Sequence, residues 1–249
     1  MANLSPVSYA TSRPKSRLLC EAFAQGCGGR VVENAQRLED GPAAFYGVRP
    51  LQIPLWNQCK AEARDWFYMD NSWFDVVRQQ QFRITRNALQ PTQIMPSDGK
   101  RFAALGMPIL PWQKNGRHIV VCPQSDEFMQ TLCGLKDWLG DTVAELKKHT
   151  DHPMVIRHKG DAKPLQQDLR GAWCLVTHMS AAAVEAILAG VPAIVTGSCA
   201  AQSVSRRWLS LVESPLYAER EPWLHWLADN QWSLDEIRNG TAWRALGHR

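Results

Sequence analysis

The chain has 249 residues, of which 45% are hydrophobic and 21% are charged, as is typical of globular proteins. A formal net charge of +4 is compatible with a polyanionic partner but is too small to indicate one. No apolar run is long enough to span a bilayer, and the N-terminus lacks the apolar segment of a secretion signal, so we expect no membrane association and a cytoplasmic location. None of the seven cysteines forms a CxxC pair and no Cys or His cluster has ligand spacing, which predicts reduced thiols, no metal site and no cofactor.

The first half of the chain alternates between segments that predict strands and segments that predict helices. Helical spacing runs from 17 to 25 and ends in a glycine-rich stretch, and a second helix is predicted within 51–65. Strands are predicted at "VSYAT", "RVV", "GPAAFYGV" and "WFYMD". The resulting order, β-α-β-β-α-β, is typical of a parallel sheet with crossover helices.

Residues 90–116 contain four prolines and little periodicity, which predicts a boundary between two domains, 1–110 and 111–249. The second half then repeats the alternation, with strands at "RHIVVCP", "PMVIRHK", "WCLVTH" and "PAIVTG". Tryptophan and leucine at helical spacing within 222–245 predict a helical C-terminal tail. The fold class is therefore α/β, with two small Rossmann-like lobes built on parallel sheets and a C-terminal helical tail.

Polar residues follow each predicted strand of the second half. Because ligands bind at the carboxyl ends of the strands in open parallel sheets, these residues are candidates for a binding site. They are Gln124, Ser125, Arg157, Lys159, Thr177, His178, Ser180 and Thr196. A helix N-terminus beside them suits phosphate. The alternatives are that Ser180 only caps a helix, that Arg157 and Lys159 are solvated, and that His178 is structural.

One stretch resembles a known family. Residues 157–195 contain the pattern T-x-x-S-x-x-x-x-E-A-x-x-x-G-x-P, which is similar to the nucleotide-sugar half of GT-B glycosyltransferases. The resemblance implies a metal-independent transferase whose substrate is a nucleotide-sugar. It further implies that Thr177, His178 and Ser180 approach the diphosphate, that Arg157 and Lys159 neutralise it, and that Glu185 binds ribose. Glu185 could equally be an ordinary helix carboxylate. On this basis 111–249 is the donor domain and 1–110 the acceptor domain.

Asp70 directly follows a predicted strand of the first half, where a carboxylate could deprotonate an acceptor hydroxyl. An Asx-turn or a helix cap is an equally good explanation. The same half carries basic residues that could contact a phosphate backbone: Arg13, Lys15, Arg17, Arg83 and Arg86. Arg83 and Arg86 could instead only pair with acids, and the whole set could be the solvated rim of a glycan or small-molecule cleft. We therefore favour a hydroxylated base in phage DNA as the acceptor, which would place the enzyme in the host cytoplasm.

Three other functions remain open. A surface-polysaccharide glycosyltransferase would share the strand–Ser–helix pattern. A sugar-nucleotide epimerase would have the same architecture, as would a non-enzymatic nucleotide-binding protein, which would not require Asp70. A P-loop kinase is excluded because no GxxxxGK[ST] motif occurs, and a Rossmann dehydrogenase is disfavoured because "GCGG" follows a helix rather than a strand.

Overall fold

The computed structural model describes residues 4–48, 50–74, 80–91 and 93–247. Its strands are β1 Val7–Ala10, β2 Arg30–Glu33, β3 Ala43–Tyr46, β4 Trp66–Asn71, β5 Gln81–Arg86, β6 His118–Cys122, β7 Met154–Ile156, β8 Ala172–Thr177, β9 Ala193–Val195 and β10 Gln231–Ser233. Its helices are α1 Pro14–Cys27, α2 Ile53–Ala61, α3 Lys100–Ala104, α4 Asp126–Cys133, α5 Trp138–Leu146, α6 Leu165–Leu169, α7 Ala182–Leu188, α8 Glu221–Asp229, α9 Leu234–Arg238 and α10 Thr241–Gly247. Short 3₁₀ turns lie at Pro50–Gln52, Gln202–Val204 and Leu209–Leu211.

The chain forms two compact units. The first unit comprises Met1–Leu89 and Asp229–Arg249, and the second unit comprises Gln90–Ala228. Each unit holds one sheet with helices around it, which confirms the predicted α/β fold class. The assignment of acceptor and donor roles to two domains stays a prediction.

The first unit contains a six-stranded sheet in the order β10-β5-β4-β3-β1-β2. Strands β1 to β4 pair in parallel, as predicted, whereas β5 pairs antiparallel with both β4 and β10. The physical reason is the short connection of residues 72–80, because a parallel crossover needs about a dozen residues or more. This sheet is therefore mixed rather than purely parallel.

The core of the first unit packs one face of its sheet against α1, α9 and α10. Its buried side chains include Leu19, Phe23, Phe67 and Trp232. Helix α1 begins at Pro14, earlier than the helical spacing predicted, because proline fits the first helical position, where its missing N–H costs nothing.

The C-terminal tail is helical except at β10, which interrupts the predicted helical spacing at Trp232. Backbone pairing with β5 draws Gln231–Ser233 into the sheet. Ser233 then caps α9 in a capping box with Glu236, so the chain returns to helix immediately. The side chain of Gln231 accepts hydrogen bonds from the Ser72 hydroxyl at 2.6 Å and the Trp73 backbone N–H at 2.7 Å. These bonds hold β10 against the residues that follow β4.

The second unit contains a four-stranded sheet in the order β7-β6-β8-β9, and all of its pairings are parallel. Alternate residues of its central strands, among them Val121 and Val176, pack with Trp138 and Leu146 of α5 in one cluster. Strand residues of the opposite phase, such as Val120 and Leu175, are equally buried. The sheet is thus covered on both faces, as parallel sheets require.

Most tryptophans lie in the core, as expected. Seven of the eleven are buried, whereas Trp208 is 71% exposed. All seven cysteines are free thiols, and five of them are buried. Within the described residues, no helix has both the length and the apolar character that crossing a bilayer requires.

Gly190 of the "GVP" segment, at the end of α7, packs closely against the backbone of residues 110–113, which precede β6. Its φ is +78°, and a Cβ built there would lie 2.0 Å from the carbonyl oxygen of Pro111. The Gly190 carbonyl also accepts from the Gln113 backbone N–H at 2.7 Å. The left-handed conformation makes a side chain at this position costly, and the close backbone approach leaves no room for one.

We expect Gly190→Ala to destabilise the protein more than Gly134→Ala does. Gly134 also has positive φ, but a Cβ there would meet nothing within 4 Å, so its substitution carries only the conformational cost of about 1–2 kcal/mol. The clash at Gly190 should add roughly 1–3 kcal/mol. Chemical denaturation of the two variants measures the difference, and equal losses would contradict the proposed backbone contact.

Candidate functional site

The carboxyl ends of β6, β7, β8 and β9 lie at one edge of the second unit's sheet, because all four strands are parallel. We call this the β6–β9 edge; it comprises the residues that follow those strands. The structure brings the predicted strand-end residues to this edge: Gln124, Ser125, Arg157, Lys159, Thr177, His178, Ser180 and Thr196. Glu185 lies farther along, on α7.

Three of these residues satisfy backbone N–H groups at the edge. With the Gln124 amide assigned the orientation that its hydrogen-bond neighbours require, its oxygen accepts from the backbone N–H groups of Met179 at 2.9 Å and Ser180 at 2.8 Å, in the loop before α7. Ser125 caps α4 by accepting from the Phe128 N–H, and the Ser180 hydroxyl accepts from the Ala182 N–H at 3.2 Å. The N-cap position of α7 is Ala181, which makes no side-chain cap bond, so Ser180 contacts the start of the helix from the residue before the cap. The backbone N–H groups of Met179, Ser180 and Ala182 thus have partners within the protein.

Other predicted residues also have internal partners. The hydroxyl of Thr177, which is fully buried, donates to the Cys122 carbonyl at 2.6 Å. The Arg157 guanidinium pairs with Asp168 at 2.9 Å, with both side chains mostly buried, and also donates to the Lys163 carbonyl. A phosphate approaching Arg157 would have to share it with that carboxylate.

Glu185 and Lys159 differ in their surroundings. Glu185 is half-buried and accepts from the side-chain amide of Gln166 at 3.3 Å. Lys159 is exposed and has no ion-pair partner in the described part of the chain. Of the two cations predicted to neutralise a diphosphate, Lys159 is thus the one without a carboxylate.

His178 belongs to a short chain of hydrogen bonds. Trp138 Nε1 donates to the Thr196 hydroxyl oxygen at 2.9 Å, and that hydroxyl lies 2.9 Å from His178 Nδ1. The Thr196 hydroxyl can donate to Nδ1 or accept from it, so the contact fits either tautomer of the neutral ring; when the hydroxyl donates, the ring proton resides on Nε2. Burial, reinforced by the positive charge of Arg207, lowers the pKa of His178 below its ordinary value of 6.5. The ring is therefore a neutral donor at pH 7.

Arg207 is a residue of this edge that the strand-end pattern missed. A parallel bridge between Ile194 and Arg206 places the segment after the 3₁₀ turn beside β9, so Arg207 reaches the same edge. The predicted strands gave no sign of this return. The only sequence signal is the doubled arginine of "SRRW", followed by Trp208, which the structure leaves exposed.

In the first unit, Asp70 lies at the end of β4 in a network of its own. Its carboxylate pairs with Arg83 at 2.8 Å and accepts from the Tyr68 hydroxyl at 2.9 Å. The Arg83 side chain is only 7% exposed. Asp70 also accepts from the backbone N–H of its neighbour Asn71 at 2.8 Å. This is not an Asx-turn, which would bond to the N–H two residues on, and the Ser72 N–H donates to the Gln81 carbonyl instead. The carboxylate is 29% exposed, so it remains accessible from one side.

The other predicted acceptor cations have mixed environments. Arg86 pairs with Asp65 at 2.6 Å, so it pairs with an acid, which was one of its two predicted alternatives. Arg17 pairs with Glu33 at 2.8 Å. Lys15 donates to the Asn71 side chain at 2.6 Å, and burial lowers the pKa of its amine against the opposing effect of Asp70. Arg13 is exposed just before α1. Three of the five cations thus have carboxylate partners.

We expect Asp70→Asn to destabilise the protein by about 1–3 kcal/mol, because the buried Arg83 would lose its carboxylate. The matched control is Asp65→Asn. Its partner Arg86 lies on β5, as Arg83 does, but this pair is exposed. That change should cost at most about 1 kcal/mol. Thermal denaturation compares the two variants, and an equal effect would show that the Asp70 pair is no stronger than a surface pair.

We expect the His178 ring to titrate below pH 6.5 in an NMR experiment, and Arg207→Gln to raise its pKa only part of the way back, because burial remains. Since the folded-state pKa is depressed, the stability from the neutral ring is present above 6.5 and is lost as the pH falls from there through the folded pKa. Arg117→Gln, an exposed arginine at the opposite strand ends, should leave the titration unchanged. A His178 pKa that is the same in Arg207→Gln as in the wild type would show that the Arg207 charge does not act on His178.

No protein-family model and no curated protein sequence matches the chain. Two solved structures from Thermosulfurimonas dismutans are similar to it in fold. One is KpsC, beta Kdo 2,4 transferase, with a TM-score of 0.55, 12% identity and coverage of 90% of each chain. The other is KpsC, beta Kdo 2,7 transferase, with a TM-score of 0.53, 11% identity and coverage of 98% of this chain and 99% of that chain. At these identities the likeness concerns the fold, which is GT-B-like.

Proposed function

We propose that this protein is a glycosyltransferase that moves a sugar from a nucleotide-sugar to a hydroxyl of a surface glycan. The supporting observation is the GT-B-like fold, shared over at least 90% of both chains with two Kdo transferases. The first candidate for the transferred sugar is accordingly Kdo. In this proposal the β6–β9 edge binds the donor and the first unit serves the acceptor.

The residues of the β6–β9 edge fit a donor in several respects. Neutral His178 offers a ring N–H, and Lys159 offers an unpaired positive charge. The residues already engaged by the protein, including Gln124 and Ser180, would hold the loop around α7 in place rather than contact the donor. The proposed roles of Arg157 and Thr177 would be of the same supporting kind.

The surface-glycan acceptor is favoured over DNA by two observations. The neighbours in fold are named for Kdo transfer. In the first unit, Arg17, Arg83 and Arg86 have carboxylate partners, which reduces the positive charge available to a phosphate backbone. For the reaction itself, Asp70 is the proposed general base, and its accessible side is where an acceptor hydroxyl would approach.

The test is mass spectrometry of acceptors incubated with a panel of nucleotide-sugars that includes activated Kdo. We expect mass addition to a Kdo-containing oligosaccharide and none to DNA that carries hydroxymethylated bases. Asp70→Asn should lower turnover by roughly two to four orders of magnitude, whereas Asp65→Asn should not.

Each other result has a defined meaning. Sugar transfer to DNA would overturn the glycan acceptor. Full turnover by folded Asp70→Asn would limit Asp70 to its ion pair with Arg83. Nucleotide binding without transfer to any acceptor of the panel would favour a non-enzymatic binding protein.

A further inference from the structure

The segment around Arg207 extends the β6–β9 edge beyond its last strand. The Val195 N–H donates to the Arg206 carbonyl at 2.9 Å, and the Arg206 N–H donates to the Ala193 carbonyl at 3.0 Å. These bonds continue the parallel pairing on the far side of β9. The residue after Arg206 therefore emerges at the same edge as Thr196, where parallel sheets bind ligands.

Arg207 differs from the neighbouring arginines in having no partner among the described residues. Arg206 donates from Nε to the Ser214 carbonyl at 2.9 Å, and Arg157 pairs with Asp168. The stretch 186–212 contains no Asp or Glu, so the local sequence offers Arg207 no carboxylate. A cation left unpaired in such surroundings is available to an anion from outside the chain.

The Nε of Arg207, like that of Arg83, is buried and has no hydrogen-bond acceptor in the described structure. Arg83 has a carboxylate partner, whereas Arg207 has none among the described residues. An unsatisfied buried donor is energetically costly, and a fully solvated surface arginine would not incur that cost. A planar guanidinium commonly binds the two oxygens of a carboxylate or phosphate with two N–H groups at once.

His178 supplies a further donor close to Arg207. Its Nδ1 is held by Thr196, and Nε2 has no partner in the described part of the chain. Gly197 leaves room for the ring, because a Cβ there would lie 2.5 Å from Nε2. The ring is thus fixed in position, with its remaining nitrogen uncommitted.

We propose that Arg207 and the Nε2–H of His178 together bind an oxyanion of the donor substrate. This inference rests on the proposed function, since it assigns the anion-binding residues of the same edge. Two parts of an activated acidic sugar have this chemistry: a phosphate of the nucleotide and a carboxylate of the sugar. Both offer two oxygens to the guanidinium.

Isothermal titration calorimetry tests the proposal, with CMP, UDP, inorganic phosphate and free Kdo as separate probes. We expect Arg207→Gln to weaken binding of the oxyanion probe roughly ten- to hundredfold, as the loss of a charge-assisted contact implies. Arg207→Lys should weaken it less, since the charge remains but the planar fork is lost. Arg117→Gln is the matched control and should leave the affinity unchanged.

The probes also separate the two sources of the anion. A selective loss of CMP, UDP or phosphate binding assigns the site to the nucleotide, and a selective loss of Kdo binding assigns it to the sugar.

Wild-type affinity for all four probes in a folded Arg207→Gln variant, or binding of none by the wild type, overturns the inference. Sugar transfer with an unchanged KM in Arg207→Gln would overturn it while the proposed function stands. Arg207-dependent binding without transfer would support it while the proposed function fails.

Discussion

In the second unit, the parallel pairing of β8 with β6 and β9 determines where the polar residues of the candidate site lie. A parallel ladder directs the carboxyl ends of its strands to one edge, so residues separated by many positions in the sequence, such as Gln124 and Ser180, become neighbours. Buried hydrogen bonds at the strand ends hold that alignment: the Thr177 hydroxyl bonds to Cys122, and the Thr196 N–H bonds to the Thr177 carbonyl. The position of His178, one residue beyond Thr177, follows from this alignment.

The two units use charge in different ways. In the first unit, Asp70 neutralises the buried Arg83, and the pair is surrounded by Tyr68 and Trp73, over which the guanidinium lies 5.9 and 5.2 Å from the ring centroids. Such a pair stabilises mainly by avoiding an uncompensated buried charge. At the β6–β9 edge, no carboxylate of the described residues pairs with Arg207. An unpaired cation beside a neutral histidine suits the binding of an anion, whereas a paired cation contributes to the packing of the protein.

A residue's type and position along a strand do not show whether its side chain is already hydrogen-bonded within the protein. Ser180, Gln124 and Arg157 were all predicted to contact the donor, and all three hydrogen-bond within the protein. These contacts still bear on function, because they fix the loop before α7 and the segment after β7. In the proposed donor site, the residues that hold the edge in shape differ from those available to a ligand, and the contacts within the protein distinguish the two groups.

The sequence by itself determined the alternation of strands and helices, the parallel sheet of the second unit and the break after α7 at Gly190. Each of these depends on local patterns: short apolar runs, helical spacing and turn residues. The tertiary structure alone decided the strand β10, the antiparallel direction of β5, the pairing of Asp70 with Arg83 and the place of Arg207. These features depend on contacts between residues far apart in the chain, as with Gln231 and Ser72. Unpaired strand edges and buried charges must be satisfied by whichever groups the fold places beside them, and the local sequence does not identify those groups.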